Sequence, residues 1–507
     1  MTDVKFPKNL AMNLKRMSEQ GFSKTKVKIL PDIGSGTVKS NGIVRFRIAS
    51  NGIYDFRSLA MFFNGKTTGT SSVITGLNLH FPRYSSSLIQ NISITAGNTV
   101  LCSINEYGLL YNALMDHEGA DYSQFSKRCT EMFDPTVRYT TTTYSTSTVG
   151  DNKISSAKYT DSAAVNANSS DVNMCINNFL GFLNSLSTPC IDLTNIGDLF
   201  INIQFAPSTV LWHSSLTSAQ SANIASTPTF SSADYELKDM FMTIDRLSFQ
   251  SATYYQLITQ ELVKPEGLQF GYYDYYMVAG SVAMKSANVS MNFNINSASL
   301  DQCIATFRRE DYNKIRPLVM YGSLGLGVSH ISIDEYLSNP NAYTNNVSTG
   351  QATGLGITDL GDGFANSVAF VRPANDIKSS QWSINSINID PYALTPIEIM
   401  QKNLQYLGFM NQDLGTSGMH PSCKSLLHYL KYYFIDICSL ENISGDNSMY
   451  VSGIDGRQGG INIQYNATFD AYNGSKIFPI IWCRSTRVMK VNAGRQITID
   501  PVSNYAQ

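Results

Sequence analysis

The chain has 507 residues, too many for one ordinary domain and enough for two that each bury a core of their own. Only 15% of its residues are charged and the formal net charge is -2, which excludes a strongly basic nucleic-acid-binding protein. So few charges suit a surface covered by copies of the same protein better than the surface of a free cytosolic enzyme.

The cysteines and the N-terminus indicate where the chain folds. Its eight cysteines are scattered without a C-x-x-C pair, which predicts reduced, mostly buried thiols rather than a disulfide framework or a zinc site. The N-terminus has no apolar signal region, and no apolar run is long enough to cross a bilayer. We therefore expect the chain to fold in a cytoplasm.

The first segment, residues 1–29, is predicted to be a basic amphipathic arm. Lysine and arginine far outnumber acidic residues there, and Phe6, Leu10, Leu14 and Met17 recur at helical spacing. A frayed, solvated terminus is the alternative that the sequence leaves open.

The rest of the chain is predicted to be β-rich with long loop insertions. Apolar and polar residues alternate over 44–48 and again over 289–295, the pattern of a strand with one buried and one solvated face. Between such runs lie long polar stretches at 139–148, 214–232 and 339–356, rich in Ser, Thr, Asn or Gly. Loops of this length are usually functional.

The first half predicts a strand followed by a short helix. Ile92 and Ile94 alternate with polar residues and mark the strand. Ser103 and Glu106 are predicted to form a capping box at the start of the helix. The apolar stripe of this helix is predicted to be Ile104, Tyr107, Tyr111 and Leu114.

The second half predicts the same pair of elements in the same order. The strand signal comes from Trp382, Ile384, Ile387 and Ile389. Thr395 and Glu398 are predicted to form a capping box, with Pro396 at the first helical position. The apolar stripe of this helix is predicted to be Ile397, Met400, Leu404 and Leu407.

A repeated strand motif strengthens the duplication. Residues 201–204 and 461–464 both read I-N-I-Q, and an aromatic residue follows each of them. Strand, capped helix, polar insertion and I-N-I-Q strand thus occur twice in one order. Each half therefore predicts one barrel, with the first over 30–252 and the second over 253–507.

This arrangement resembles the double jelly-roll major capsid proteins of the adenovirus-like lineage, particularly those of polinton-like viruses and virophages. The resemblance spans most of the chain and is carried by Phe81-Pro82-Arg83-Tyr84 before the Ile92–Ile94 strand, Asn105-Glu106-Tyr107, the strand from Gly197 to Phe205, and the closing segment from Gly494 to Ile499. It implies an all-β fold of two tandem eight-stranded jelly-roll barrels with short helices and long loop insertions.

The resemblance also implies a function and partners. Such a chain would be a major capsid protein whose homotrimers form pseudo-hexagonal capsomers and tile the icosahedral shell of a double-stranded DNA virus. Its other partners would be penton and minor capsid proteins, the host surface through the outer loops, and an internal membrane or the genome through the arm of residues 1–29. The protein would be located in the virion, after assembly in the host cytoplasm or a virus factory.

No catalytic, cofactor-binding or metal-ligating residue is predicted, and we expect no enzyme. The six histidines are not at ligand spacing, and no phosphate loop, dinucleotide fingerprint or nucleophile elbow is present. Asp359 and Asp362 lie among glycines but lack the spacing of a calcium loop.

The alternative function is a β-rich carbohydrate-binding or carbohydrate-cleaving protein. Tyrosines that could form a sugar platform occur in one short run, at Tyr272, Tyr273, Tyr275 and Tyr276. The two carboxylates of a glycosidase also need not be close in sequence. A minor or penton capsid component is disfavoured, because such proteins usually need only one barrel.

Overall fold

The structure is a computed structural model, and it describes residues 23–32, 36–68, 78–82, 84–117, 159–160, 172–213, 233–248, 252–265, 267–280, 288–310, 312–313, 315, 319–323, 328–332, 367–374, 376–406, 426–441, 453–457, 459–470 and 477–500. The amphipathic stripe predicted between residues 6 and 17 lies outside these ranges. So do the three polar stretches, Leu407, and the aspartates Asp359 and Asp362.

The first half of the chain is mainly strand. Its strands are β1 (Ser23–Ile29), β2 (Thr37–Lys39), β3 (Ile43–Ile48), β4 (Ile53–Thr68), β5 (Asn78–His80), β6 (Ile89–Ala96), β7 (Thr99–Asn105), β8 (Tyr159–Thr160), β9 (Val172–Ile176), β10 (Cys190–Asp192), β11 (Leu199–Phe205), β12 (Trp212–His213) and β13 (Asp234–Ser248). Its helices are α1 (Tyr107–Met115) and α2 (Phe182–Ser185), with 3-10 turns at Ser85–Leu88 and Ser208–Val210.

The second half follows helix α3 (Ala252–Val263), which lies at the predicted join. Its strands are β14 (Leu268–Ala279), β15 (Asn288–Ile295), β16 (Leu300–Arg309), β17 (Val319–Ser323), β18 (Val328–Ser332), β19 (Ile377–Ile384), β20 (Ile387–Asn388), β21 (Asp436–Ser439), β22 (Ile461–Phe469), β23 (Ile477–Asn492) and β24 (Gln496–Asp500). Its helices are α4 (Pro396–Tyr406) and α5 (Leu426–Tyr432), with a 3-10 turn at Val368–Phe370.

The two halves share one sheet topology. In the first half, hydrogen-bonded strands follow the orders β1-β13-β4-β10 and β3-β11-β6-β7, and in the second half β14-β23-β16-β21 and β15-β22-β19-β20. Each half contributes eight strands to its two orders. If these eight are numbered along the chain, both halves read 1-8-3-6 and 2-7-4-5. This is the jelly-roll arrangement of two facing antiparallel four-strand sets, to which β2 and β9 add in the first half and β24 adds in the second. The predicted fold of two tandem eight-stranded jelly-roll barrels is therefore confirmed.

The repeated I-N-I-Q motif occupies equivalent strands. It lies in β11 and in β22, each of which is the seventh strand of its barrel. Both strands alternate between buried and partly exposed positions, with the isoleucines buried and the asparagine and glutamine facing outward. The duplication seen in the sequence is thus a duplication of the fold.

The barrel begins earlier than the sequence indicated. Residues 23–29, which the sequence analysis assigns to the arm, form β1 and pair with β13 along their whole length. Lysines at alternate positions of this strand, Lys24, Lys26 and Lys28, are exposed. The alternation of lysine with Thr25 and Val27 is therefore that of an edge strand rather than of a helix.

The first predicted capping box is wrong. Ser103 lies within β7, because pairing with β6 extends this strand to Asn105 before the helix can begin. Glu106 at the N-cap is left-handed, with φ of 51°, and its side chain makes no capping hydrogen bond. Its backbone N–H instead donates to the side-chain oxygen of Asn91 at 3.2 Å.

The second capping box forms on the Glu398 side. The backbone N–H and the hydroxyl of Thr395 donate to a carboxylate oxygen of Glu398 at 2.8 and 2.7 Å. The stripe predicted for this helix is partly wrong, since Ile397 is exposed whereas Asn403 is buried. The Asn403 amide bridges to β21, donating to the carbonyl of Ile435 and accepting from the N–H of Ile437.

Candidate assembly site at the junction of the two barrels

One sheet of the second barrel is buried on both faces. Every residue of β16 is buried. Side chains alternate between the two faces of a strand, so a fully buried strand must be covered on both sides. On the inner face, Cys303 and Cys483 belong to the core of the second barrel. On the outer face, Ile304 and Trp482 belong to the core cluster of the first barrel.

We call the contact between the barrels the junction: β7 and α2 of the first barrel pack against sheet β14-β23-β16-β21, and α1 contacts the 3-10 turn at Val368–Phe370 of the second half. The Tyr272 hydroxyl donates to the carbonyl of Leu101 at 2.6 Å. At the β14 edge, the N–H of Ser187 donates to the carbonyl of Gly271 at 2.8 Å, and the Ser187 hydroxyl accepts the N–H of Gly271 at 3.0 Å. Backbone bonding and apolar packing therefore join the barrels in one unit.

Ion pairs between described residues cross the junction at two places. The guanidinium of Arg372 contacts the Asp116 carboxylate at 2.7 Å, and both side chains are fully buried. Arg308 contacts Glu106 at 3.0 Å in a largely buried position. Both arginines belong to the second barrel and both acids to the first, so the pairs fix the register of one barrel on the other.

A carboxylate of the second barrel contacts a thiol of the first. The Cys102 thiol donates to Asp274 at 3.2 Å, and Arg487 lies 3.3 Å from the same carboxylate. Burial raises the pKa of Asp274, whereas the charge of Arg487 lowers it. Burial also raises the pKa of the Cys102 thiol, so this cysteine remains protonated.

His117 is a further buried link between the barrels. Its Nε2 lies 2.6 Å from the carbonyl oxygen of Tyr433, so this nitrogen carries the proton that is donated. Burial, and after it the positive charge of Arg372, lowers the pKa of His117 to about 4. The imidazole is therefore neutral at pH 7.

Because His117 is buried in its neutral form, we expect acid to lower the stability of the junction. Because the folded pKa lies below the ordinary 6.5, its contribution to stability is complete above pH 6.5 and is lost as the pH falls toward 4. Burial raises the pKa of Asp301 to about 6, so Asp301 acts in the opposite direction and favours the folded state as the pH falls below 6. We compare the free energy of unfolding at pH 7 and pH 5. Over this change the wild type should lose about 2 kcal/mol relative to His117→Gln and gain about 1 kcal/mol relative to Asp301→Asn.

Urea unfolding of the three proteins at pH 7 and pH 5 measures both differences. The Asp301→Asn variant is the matched control, because its buried group titrates with the opposite sign. Parallel pH dependences in all three proteins would contradict the assignment.

The tyrosines that suggested a sugar platform lie on β14 at the junction. Tyr272 and Tyr275 are buried. The guanidinium of Arg484 lies over the ring of Tyr273 at 4.5 Å, and that of Arg487 lies over Tyr276 at 5.1 Å. Their rings therefore pack against protein groups of this same chain.

Within the described ranges, no group of three or more His, Cys, Asp or Glu side chains is placed to hold a metal ion. In the same part of the chain no helix is long and apolar enough to cross a membrane. No site residue was predicted from the sequence, and the junction residues were therefore missed. One signal was available: Asp116 and His117 end an otherwise apolar helix in a charge-poor chain.

No family model matches the chain, and no curated protein matches it. Solved structures do. The chain is similar to the Faustovirus major capsid protein, with 9% identity and a TM-score of 0.53 over 93% of this chain and 91% of that one. A chain of the PBCV-1 virus capsid matches with 9% identity and a TM-score of 0.52, covering 95% of this chain and 97% of its own length. A chain of the Sputnik virophage structure matches with 11% identity and a TM-score of 0.50, covering 95% and 88%.

At identities this low, the structural similarity shows the fold alone. The protein has the double jelly-roll fold, and the resemblance noted in the sequence is confirmed. The proteins that share this fold with it are major capsid proteins of large DNA viruses and virophages.

Proposed function

We propose that this protein is a major capsid protein, which self-assembles as homotrimeric pseudo-hexagonal capsomers that tile the icosahedral shell of a double-stranded DNA virus of the polinton-like or virophage type. The observation that carries the proposal is the junction, which locks two barrels of one topology into a single block. Three such blocks around a threefold axis present six barrels, and closed symmetry of this kind stops growth at a defined particle.

The physical properties of the chain suit this role. One hydrophobic cluster contains residues of both barrels, so the block resists bending between them. Two closed jelly rolls leave few strand edges for uncontrolled pairing at high local concentration. The low fraction of charged residues, 15%, suits a surface that is largely covered in a shell.

The capsid role brings further partners into the proposal. Penton and minor capsid proteins would complete the shell, and the outer loops would face the host surface. The segment before β1, residues 1–22, would form the inward arm toward an internal membrane or the genome, because it carries an excess of basic residues. The protein would assemble in the host cytoplasm or a virus factory and be located in the virion.

The molar mass of the purified chain tests the proposal. We expect light scattering on a sizing column to give 168 kDa, the mass of three 56.0 kDa chains, and negative-stain images of that peak to show pseudo-hexagonal particles. A 56.0 kDa monomer that persists at high concentration would contradict the proposal. Binding of that monomer to a glycan array would instead support the carbohydrate-binding alternative.

A further inference from the structure

We propose that the outer face of sheet β1-β13-β4-β10 in the first barrel is a docking surface, and that its occupant is segment 387–398 of the second barrel of another copy of this chain. The inference rests on the proposed trimer and names the two surfaces that would form it. Equivalent positions in the two barrels differ in whether they are covered inside the chain.

The junction provides the template. Inside the chain, the fifth strand of the first barrel, β7, packs against the 1-8-3-6 sheet of the second barrel through β14, and the helix after it, α1, contacts the 3-10 turn at Val368–Phe370 of the second half. The same elements of the second barrel are β20 and α4. The same sheet of the first barrel is β1-β13-β4-β10. A ring of alternating first and second barrels would repeat the contact of the junction between copies.

Away from the end where α3 packs against Ile53 and Leu247, this face carries the equivalent of a buried pair. Phe62 and Phe241 are direct partners on β4 and β13, and their rings stack with centroids 5.2 Å apart. Both are partly exposed, although the core residues beside them in sequence are buried. In the second barrel the partners on the corresponding strands are Ile304 and Trp482, and the junction buries both. A pair of large apolar residues in this position is thus covered in one barrel and partly exposed in the other.

The proposed occupant is the densest exposed apolar segment of the described chain. Ile387, Ile389, Tyr392 and Ile397 are between 39% and 69% exposed, and they account for four of the ten exposed large hydrophobic residues. Scattered exposed apolar residues are ordinary, whereas four within eleven positions indicate a contact surface. The equivalent helix of the first barrel, α1, is almost wholly buried inside the chain.

The charges of the two surfaces are complementary. The β1 edge exposes Lys26 and Lys28, and the ammonium of Lys28 lies 4.1 Å from the ring centroid of Phe241. The occupant segment carries Asp390 and, at the start of α4, Glu398. The junction has the same distribution of charge. Glu106, the acid before α1, pairs there with Arg308, a base of the opposing sheet.

The test uses the full chain and a paired variant, Ile387→Lys with Ile397→Lys, studied by light scattering over a dilution series. Burying two ammonium groups against an already basic surface should raise the concentration at half-dissociation by at least about tenfold. The control is Val100→Lys, an exposed position on the equivalent hairpin of the first barrel, whose junction is closed inside the chain. This control should dissociate as the wild type does, and thermal melting checks that every variant is folded.

Carbodiimide cross-linking of mixed unlabelled and nitrogen-15-labelled copies provides the second measurement. We expect isotopically mixed peptides that join Lys26 or Lys28 to Glu398. The inference alone would be overturned if the wild type is a trimer, the paired variant has the same mass as the wild type, and no such peptide is found. A monomeric wild type would overturn the proposed function and the inference with it.

Discussion

Replacing Arg372 with methionine is expected to lower the free energy of unfolding by about 3–5 kcal/mol, the range for removing one partner of a buried ion pair. The Asp116 carboxylate loses the guanidinium at 2.7 Å and keeps the Tyr84 hydroxyl at 3.2 Å. A buried carboxylate without a counter-charge is costly because the surrounding protein does not replace its hydration. Urea unfolding at pH 7, followed by circular dichroism, measures the change.

Two further variants separate the loss of charge from the loss of packing. The double variant Arg372→Met with Asp116→Leu should recover most of the loss, because a buried pair replaced by apolar groups of similar volume is often neutral. The Nε of Arg372 has no hydrogen-bond partner among the described residues, which favours that outcome. Arg47→Met, which breaks the exposed pair with Asp198, should cost less than about 1 kcal/mol. An Arg372→Met protein as stable as the wild type would show that the pair is not required.

Replacing Trp482 with alanine is expected to cost about 3–5 kcal/mol and to loosen the contact between the barrels. Its indole lies on the outer face of β23, fully buried, with its N–H directed at the carbonyl of Asn105 at 3.5 Å. Removing it leaves a cavity between the barrels rather than within one of them. Hydrogen exchange should therefore accelerate in β7 and α1 of the first barrel.

Trp382→Ala is the matched control for this effect. Trp382 is also fully buried, but it packs inside the second barrel with its ring 4.5 Å from that of Tyr465. The Trp382→Ala substitution should lower the free energy of unfolding by a similar amount. It should accelerate hydrogen exchange in β19 and β22 instead. If both variants give the same exchange pattern, the junction does not depend on Trp482.

The sequence by itself determined the features that rest on neighbouring residues. Alternation of apolar and polar side chains identified the strands that carry I-N-I-Q, because the two-residue period of a strand follows from backbone geometry alone. The repeated order of elements then indicated two barrels. The capping box of Thr395 and Glu398 was predictable because its partners are three residues apart.

Tertiary structure decided the rest, because the deciding partners are far apart in the chain. Ser103 could not cap α1, since pairing with β6 kept it in a strand. Asp116 and Arg372 are 256 residues apart, and no local period links such a pair. The covered face of the second barrel and the open face of the first likewise depend on how one barrel packs against the other, because burial of an outer face is set by its neighbour rather than by its own sequence.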